Sequence, residues 1–193
     1  TLSNLTLEAA DAGQCAFALA TNACVSLFLA GTNTLVSGEG RAGIEVAAGR
    51  MLSITNAPDD DAGALAVTGG DLGAGIGGGD GGDGGTVTIN GGAIVTTGGE
   101  YGTGIGGGDY GHGGTVTING GSVTAAGYEY CAGIGGGDGS HGGTVTINGG
   151  KVTATSDRYG AGIGGGRSGA GGRVEINGGE VAATGGDWGA GIG

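Results

Sequence analysis

Three different strings in this chain recur at one step. The string G-I-G-G-G places Ile76, Ile105, Ile134 and Ile163 in register, and Ile192 follows in the final G-I-G. T-V-T-I-N-G-G begins at Thr86, Thr115 and Thr144, and its variant R-V-E-I-N-G-G begins at Arg173. A further apolar position carries Ile94, Val123, Val152 and Val181. Every one of these steps is 29 residues. A repeat of this length is one supersecondary unit that cannot bury its apolar face alone, so the copies must stack on one another.

Within each copy the apolar residues alternate rather than follow a helical period. Val87 and Ile89 share one side while Thr86 and Thr88 share the other, and Val152 and Ala154 stand opposite Thr153 and Thr155. This is the pattern of a strand. A third, shorter segment, Ala161–Gly164, has Ile163 as its one large side chain. Glycine-rich turns such as Asn90-Gly91-Gly92 and Gly77–Gly85 separate the strands, and Asn-Gly favours tight turning. Three short strands and three turns make one coil of a solenoid whose neighbours stack at about 4.8 Å. The expected fold is therefore all-β: a right-handed parallel β-helix (β-solenoid) with about three short strands per 29-residue coil. The handedness comes from the preference of parallel crossovers. Six or seven coils would span roughly 30 Å.

Two competing architectures fail on composition. Glycine supplies 57 of the 193 residues, but with one proline and no three-residue period the chain is not collagen. Propeller blades need about 40 residues, four strands and more aromatics, and this chain has five Tyr, two Phe and one Trp.

In a stacked coil identical residues form ladders. Valine and isoleucine ladders are expected at the centre, and Asn90, Asn119, Asn148 and Asn177 as an amide ladder at one corner. Residues 65–193 are the regular repeats, and residues 1–64 read as irregular coils of the same helix. Leu52 and Ile54 match Val87 and Ile89, Leu65 matches Ile94, and Ile44 matches Ile76 at a step of 32. Val25, Leu27 and Leu29, then Leu5 and Leu7, continue the inward alternation. No capping composition follows Trp188, so the repeats are expected to continue past Gly193.

Acidic residues outnumber basic ones 18 to 6, for a net charge of −12. This argues against a nucleic-acid partner and against anionic lipid. No apolar run approaches the roughly 18 residues of a membrane span, so no membrane insertion is expected. Among the three cysteines, Cys15 and Cys24 are a candidate pair that would leave Cys131 over; the alternative is three small buried thiols.

Strings such as A-G-I-E-V-A-A-G-R-M-L-S-I-T-N, G-G-T-V-T-I-N-G-G-K-V-T-A-T and G-A-G-I-G-G-G resemble the glycine-rich β-helix repeat regions of bacterial secreted and cell-surface, adhesin-like or carbohydrate-binding proteins. The resemblance runs from about Val25 to Gly193. It implies a right-handed β-helix in an extracellular setting, on the bacterial surface or secreted. It carries over no site residue.

Several columns of the repeat could carry chemistry. Tyr101, Tyr130, Tyr159 and Trp188 share one position, headed by Leu72. Such a column is either a platform for sugar rings or a protein partner, or a stack that seals a corner. Asp71, Glu100, Glu129 and Asp187 flank it, interrupted by Arg158, and Asp80, Asp109 and Asp138 form another column interrupted by Arg167. Like charges about 5 Å apart must splay into water or hold cations. Asp80 with Asp83, Asp109 with His112, and Asp138 with His141 share a D-x-x-D/H spacing. Asp80, Asp83, Asp109 and Asp138 are thus candidate calcium ligands; no other cofactor is expected. Arg158 and Arg167 either relieve the acidic columns or make a site for an acidic sugar or acidic protein loop.

The threonine array of Thr86, Thr88, Thr115, Thr117, Thr144 and Thr146 resembles ice-binding solenoids, but the next coil has Arg173 and Glu175 instead. The carboxylates recur by register rather than forming one singular pair, and His112 and His141 lack a nucleophile elbow, so an enzyme is not expected. The expected function is non-catalytic adhesion or carbohydrate binding through an exposed solenoid face, with Tyr101, Tyr130, Tyr159, Trp188, Arg158 and Arg167 as ligand-binding residues. The expected partner is a glycan or a host surface protein such as a mucin or immunoglobulin. The alternative is a passive stalk or assembly unit, with end-to-end self-association as a further option.

Overall fold

The computed structural model describes residues 1–9 and 11–193. The chain winds a β-solenoid of about six turns, three strands to a turn, with about 29 residues per coil. Among the described residues three sheets run along it. The first has seven strands: Leu2–Ser3, Cys24–Ala30, Met51–Asn56, Thr86–Ile89, Thr115–Ile118, Thr144–Ile147 and Arg173–Ile176. The second also has seven: Thr6–Glu8, Thr32–Val36, Ala64–Thr68, Ala93–Thr97, Ser122–Gly127, Lys151–Ser156 and Glu180–Thr184. The third has six two-residue strands, from Phe17–Ala18 and Ile44–Glu45 to Ile163–Gly164. Each strand pairs in parallel with its equivalent one coil away, for example Val87 with Val116 and Ile105 with Ile134.

The register follows the step arithmetic. Leu52 lies opposite Val87, Ile54 opposite Ile89, Leu65 opposite Ile94 and Ile44 opposite Ile76. Val25 and Leu27 pair with Leu52 and Ile54. The first coil departs from simple alternation. Leu2 opens the first sheet opposite Leu29, whereas Leu7 lies in the second sheet opposite Leu35. Phe17 opens the third sheet opposite Ile44.

Inward side chains line the interior of the solenoid. Ile44, Ile76, Ile105, Ile134 and Ile163 form a column with 0% exposure at every level. Burying a side chain of this size contributes about 1.5–3 kcal/mol. Ile76, Ile105, Ile134 and Ile163 each lie between two isoleucines, and Ile44 lies between Phe17 and Ile76, so the core is a set of continuous apolar ladders. At one corner the Asn ladder forms as expected. Asn119, Asn148 and Asn177 each donate from Nδ2 to Oδ1 of the Asn one coil earlier at 2.8–2.9 Å, and Asn90 donates to Ser53 Oγ.

The Cys15–Cys24 pair does not form, and all three thiols are free. Cys24 is exposed on the outer face of its strand, opposite Met51. Cys15 is half-buried, with its thiol directed at the Ala42 carbonyl. Only Cys131 is a fully buried thiol, and burial pushes it up to about 12, which leaves it unreactive. In the N-terminal coil Glu45 stands where later coils have glycine, and Arg41 and Arg50 hold its carboxylate at 2.9 and 3.3 Å.

Candidate functional site

Two columns of stacked turns meet at one corner. In the first column, turns Gly79–Gly82, Gly108–Gly111, Gly137–Ser140 and Gly166–Gly169 are each closed by an N–H to carbonyl bond of 2.9–3.1 Å. Asp80, Asp109, Asp138 and Arg167 occupy the first inner position. Gly81, Tyr110, Gly139 and Ser168 occupy the second, with φ between 54° and 65°, as such a turn demands. In the second column, turns Gly70–Gly73 and Gly99–Gly102 place Leu72 and Tyr101 at the same left-handed position, with φ of 68° and 65°. In the equivalent turn Tyr128–Cys131 the positive φ moves to Glu129, at 47°, and the Tyr130 ring still stacks on Tyr101.

Backbone bonds join the columns. The Asp109 N–H donates to the Leu72 carbonyl at 2.8 Å, and the Arg167 N–H to the Tyr130 carbonyl at 2.7 Å. The result is a cleft of about 390 Å³ lined by Leu72, Tyr101, Asp109, Tyr110, Tyr130, Asp138 and Arg167. Among the described residues seven non-glycines have positive φ. Leu72, Tyr101 and Tyr110 line the cleft, and Glu129 and Ser168 adjoin Tyr130 and Arg167. A bulky residue in this region costs roughly 1–2 kcal/mol. Such strain collects where a fold is shaped for something other than its own stability.

The charged groups of the cleft differ sharply in how they are satisfied. Arg167 grips both oxygens of Asp138 with one edge of its guanidinium, Nε to Oδ1 at 3.0 Å and Nη2 to Oδ2 at 2.7 Å. Its Cζ sits 3.9 Å from the Tyr130 ring centroid, a cation–π contact. The hydrogen bonds from Arg167 to Asp138 raise the arginine further above its ordinary range. Asp109 has no such partner. It is 8% exposed, and its Oδ1 finds no hydrogen bond. Burial, then the charges of Asp138 and Asp80, push its carboxyl up to about 6; the Tyr110 amide and Arg167 oppose this.

The raised value gives a stability prediction. A carboxyl that titrates higher folded than unfolded favours the fold when protonated, below about pH 4, and that contribution is lost as pH rises through about 6. Asp109→Asn should therefore stabilise the protein at pH 7 by on the order of 1–2 kcal/mol, less than the full linkage value because water reaches the cleft. Thermal melts from pH 4 to 8 check this: wild type should lose stability across that window relative to the variant. A variant less stable at pH 7 contradicts it.

The remaining expected site residues lie elsewhere. Tyr101 and Tyr130, in the cleft, stack with centroids 5.7 Å apart; Tyr159, outside it, lies tilted by 34° against Tyr130 at 5.2 Å, and all three are half-buried. Tyr159 and Trp188 line a separate depression of about 220 Å³, and Trp188 is 78% exposed. Arg158 reaches Glu129 at 3.7 Å and lies over Tyr159, outside the cleft.

Asp80 is exposed, and Asp83 belongs to another corner. Asp83 Oδ1 accepts the His112 N–H at 2.8 Å; His112 Nδ1 accepts the His141 N–H, and His141 Nδ1 the Ala170 N–H, both at 3.1 Å. The two imidazoles stack 5.1 Å apart at 3°. Accepting at Nδ1 places the ring proton on Nε2. This column fastens one coil to the next. The four aspartates considered for calcium are thus divided between two corners, and among the described residues no group of three or more His, Cys, Asp or Glu is placed to hold a metal ion.

Tyr110 did not stand out by period, because its column is otherwise Gly81, Gly139 and Ser168. A large aromatic at a glycine turn position is the signal that marks it.

Over residues 112–138, 145–167 and 174–193 the chain is similar to the family described as Beta helix repeat. In those spans the family match and the stacked coils agree on one fold, a β-helix. Tyr130, Asp138 and Arg167 fall inside the matched spans of the β-helix repeats, while Leu72, Tyr101, Asp109 and Tyr110 precede them. The curated proteins and the solved structures contain no match to the chain.

Proposed function

We propose that this β-helix is a non-catalytic carbohydrate-binding or adhesion module that takes its ligand in the Tyr101–Arg167 cleft. The observation that carries this reading is the concentration of irregularity at one corner of an otherwise periodic solenoid. A stalk needs equivalent faces from coil to coil, and the Asn ladder from Asn90 to Asn177 has that character. The cleft instead gathers three tyrosines, two carboxylates and a guanidinium. Tyrosine rings offer apolar area with a polar tip, and a few convergent polar groups orient a ligand. Carboxylates and guanidinium present paired acceptors and donors to sugar hydroxyls. The extracellular, bacterial-surface setting proposed with it rests on the resemblance of the glycine-rich strings. The passive stalk is the second reading, favoured by the half-burial of the stacked tyrosines.

The test is a glycan and mucin array probed with the folded protein, with and without calcium. The double variant Tyr101→Ala/Tyr130→Ala is run beside it after circular dichroism confirms its β-sheet signal. Binding to a defined glycan, weakened at least about tenfold in the variant, which is about 1.4 kcal/mol, is the expected result. Silence across the array from folded wild type overturns the carbohydrate reading and leaves the stalk or a protein-binding face.

A further inference from the structure

The repeat contains its own record of what this corner accepts. A shift of one coil carries Tyr101 onto Tyr130 and Asp109 onto Asp138. At the later level a cation is present: the Arg167 guanidinium, held by both Asp138 oxygens and laid over the Tyr130 ring at 3.9 Å. At the earlier level the position equivalent to Arg167 is Asp138 itself, already engaged by that arginine. Asp109 and Tyr101 are therefore the equivalent carboxylate and ring one step earlier, both lining the cleft, with no cation at the equivalent position. Asp109 is 8% exposed and its Oδ1 has no partner, so a buried acceptor is left unsatisfied. An unpaired buried charge is costly, and a cation beside it recovers that cost. The cleft has room, at about 390 Å³.

We propose that the cleft recognises a cationic sugar, an amino sugar carrying a free, protonated amine, with the ammonium on Asp109 and the sugar ring against Tyr101. This rests on the carbohydrate reading above. An ammonium on Asp109 repeats the charge contact that the Arg167 guanidinium makes with Asp138, and the apolar face of the sugar takes the place over Tyr101 that the guanidinium takes over Tyr130. A divalent metal does not suit the corner: calcium takes six to eight oxygens, and Asp138 is occupied by Arg167. The net charge of −12 favours a cationic ligand over an anionic one at long range.

The experiment is titration calorimetry with a β-1,4-linked glucosamine oligomer and with its fully N-acetylated counterpart, which has the same rings and no charge. Wild type, Asp109→Asn and Glu8→Gln are compared; the last removes one charge from an exposed position in the first coil. The expected result is binding of the amine oligomer at least about tenfold tighter than the acetylated one. That preference is lost in Asp109→Asn and kept in Glu8→Gln. Equal binding of both oligomers, unaffected by Asp109→Asn, overturns the amine site and leaves the carbohydrate reading standing. Binding of neither oligomer, with Asp109-dependent binding of an arginine-rich peptide, overturns the sugar for a protein partner. A calcium-induced rise in melting temperature that Asp109→Asn abolishes overturns it for a metal.

Discussion

Gly135→Ala should prevent the regular coils from folding. Gly135 is one of the column Gly77, Gly106, Gly135 and Gly164, which follow the buried isoleucines with φ between 140° and 144°. That backbone conformation is essentially closed to side-chain-bearing residues. A Cβ built on Gly135 also runs into the carbonyl oxygen of Gly164, one coil on. Neither element can give way. The Gly164 backbone is paired with Gly135 in the third sheet, and the next coil stacks on it in turn. The cost is roughly 4 kcal/mol or more, a large share of the 5–15 kcal/mol by which domains are stable.

Gly139→Ala separates the two causes. Gly139 also has a positive φ, 65°, but nothing lies within 4 Å of its Cβ position. It should cost only about 1–2 kcal/mol. Circular dichroism and soluble yield distinguish the outcomes. Equal tolerance of both substitutions would mean that the coils are not packed backbone to backbone at the third sheet.

Ile134→Ala should be the most damaging of the core truncations, at about 2–5 kcal/mol. Ile134 is 0% exposed and lies between Ile105 and Ile163 in strands only two residues long. Those neighbours are fixed in register and cannot close the cavity. The substitution also weakens two coil-to-coil interfaces at once, and in a solenoid stability is a sum over such interfaces. Val95→Ala is the comparison: Val95 is 48% exposed on the outer face of its strand, and its loss should fall within about 0.5 kcal/mol. Denaturant melts of both variants check the contrast. A small effect at Ile134 would contradict the ladder core.

The fold was legible in the sequence because translation is its only symmetry. Once Ile76, Ile105, Ile134 and Ile163 share a step, parallel pairing in register is the one arrangement that buries all of them, and the Asn ladder follows. The first coil was legible only in part. Phe17 takes the place of isoleucine in the third sheet, and Leu7 moves to the second sheet, because turn lengths there change from coil to coil. A step that varies hides the columns.

The site was legible by column but not by corner. A period shows which residues stack along the axis; it does not show which stacks are neighbours around the coil. The Tyr101 and Asp109 columns meet because the Asp109 and Arg167 amides bond to the Leu72 and Tyr130 carbonyls, a consequence of turn geometry. The same geometry brings Arg167 into the cleft and leaves Arg158 with Glu129, though the two look alike as substitutions for an acid. It also sends Asp83 to the histidine column, away from Asp109.

Backbone amide chemical-shift mapping, with the tightest-binding oligosaccharide titrated into the labelled protein, tests the central claim most directly. Shifts gathered at Tyr101, Asp109, Tyr110, Tyr130, Asp138 and Arg167, with the Asn ladder and the Thr115 and Thr144 faces unmoved, are the predicted result. Shifts spread along the threonine faces or confined to Trp188, or none at saturating ligand, would contradict a binding cleft at this corner.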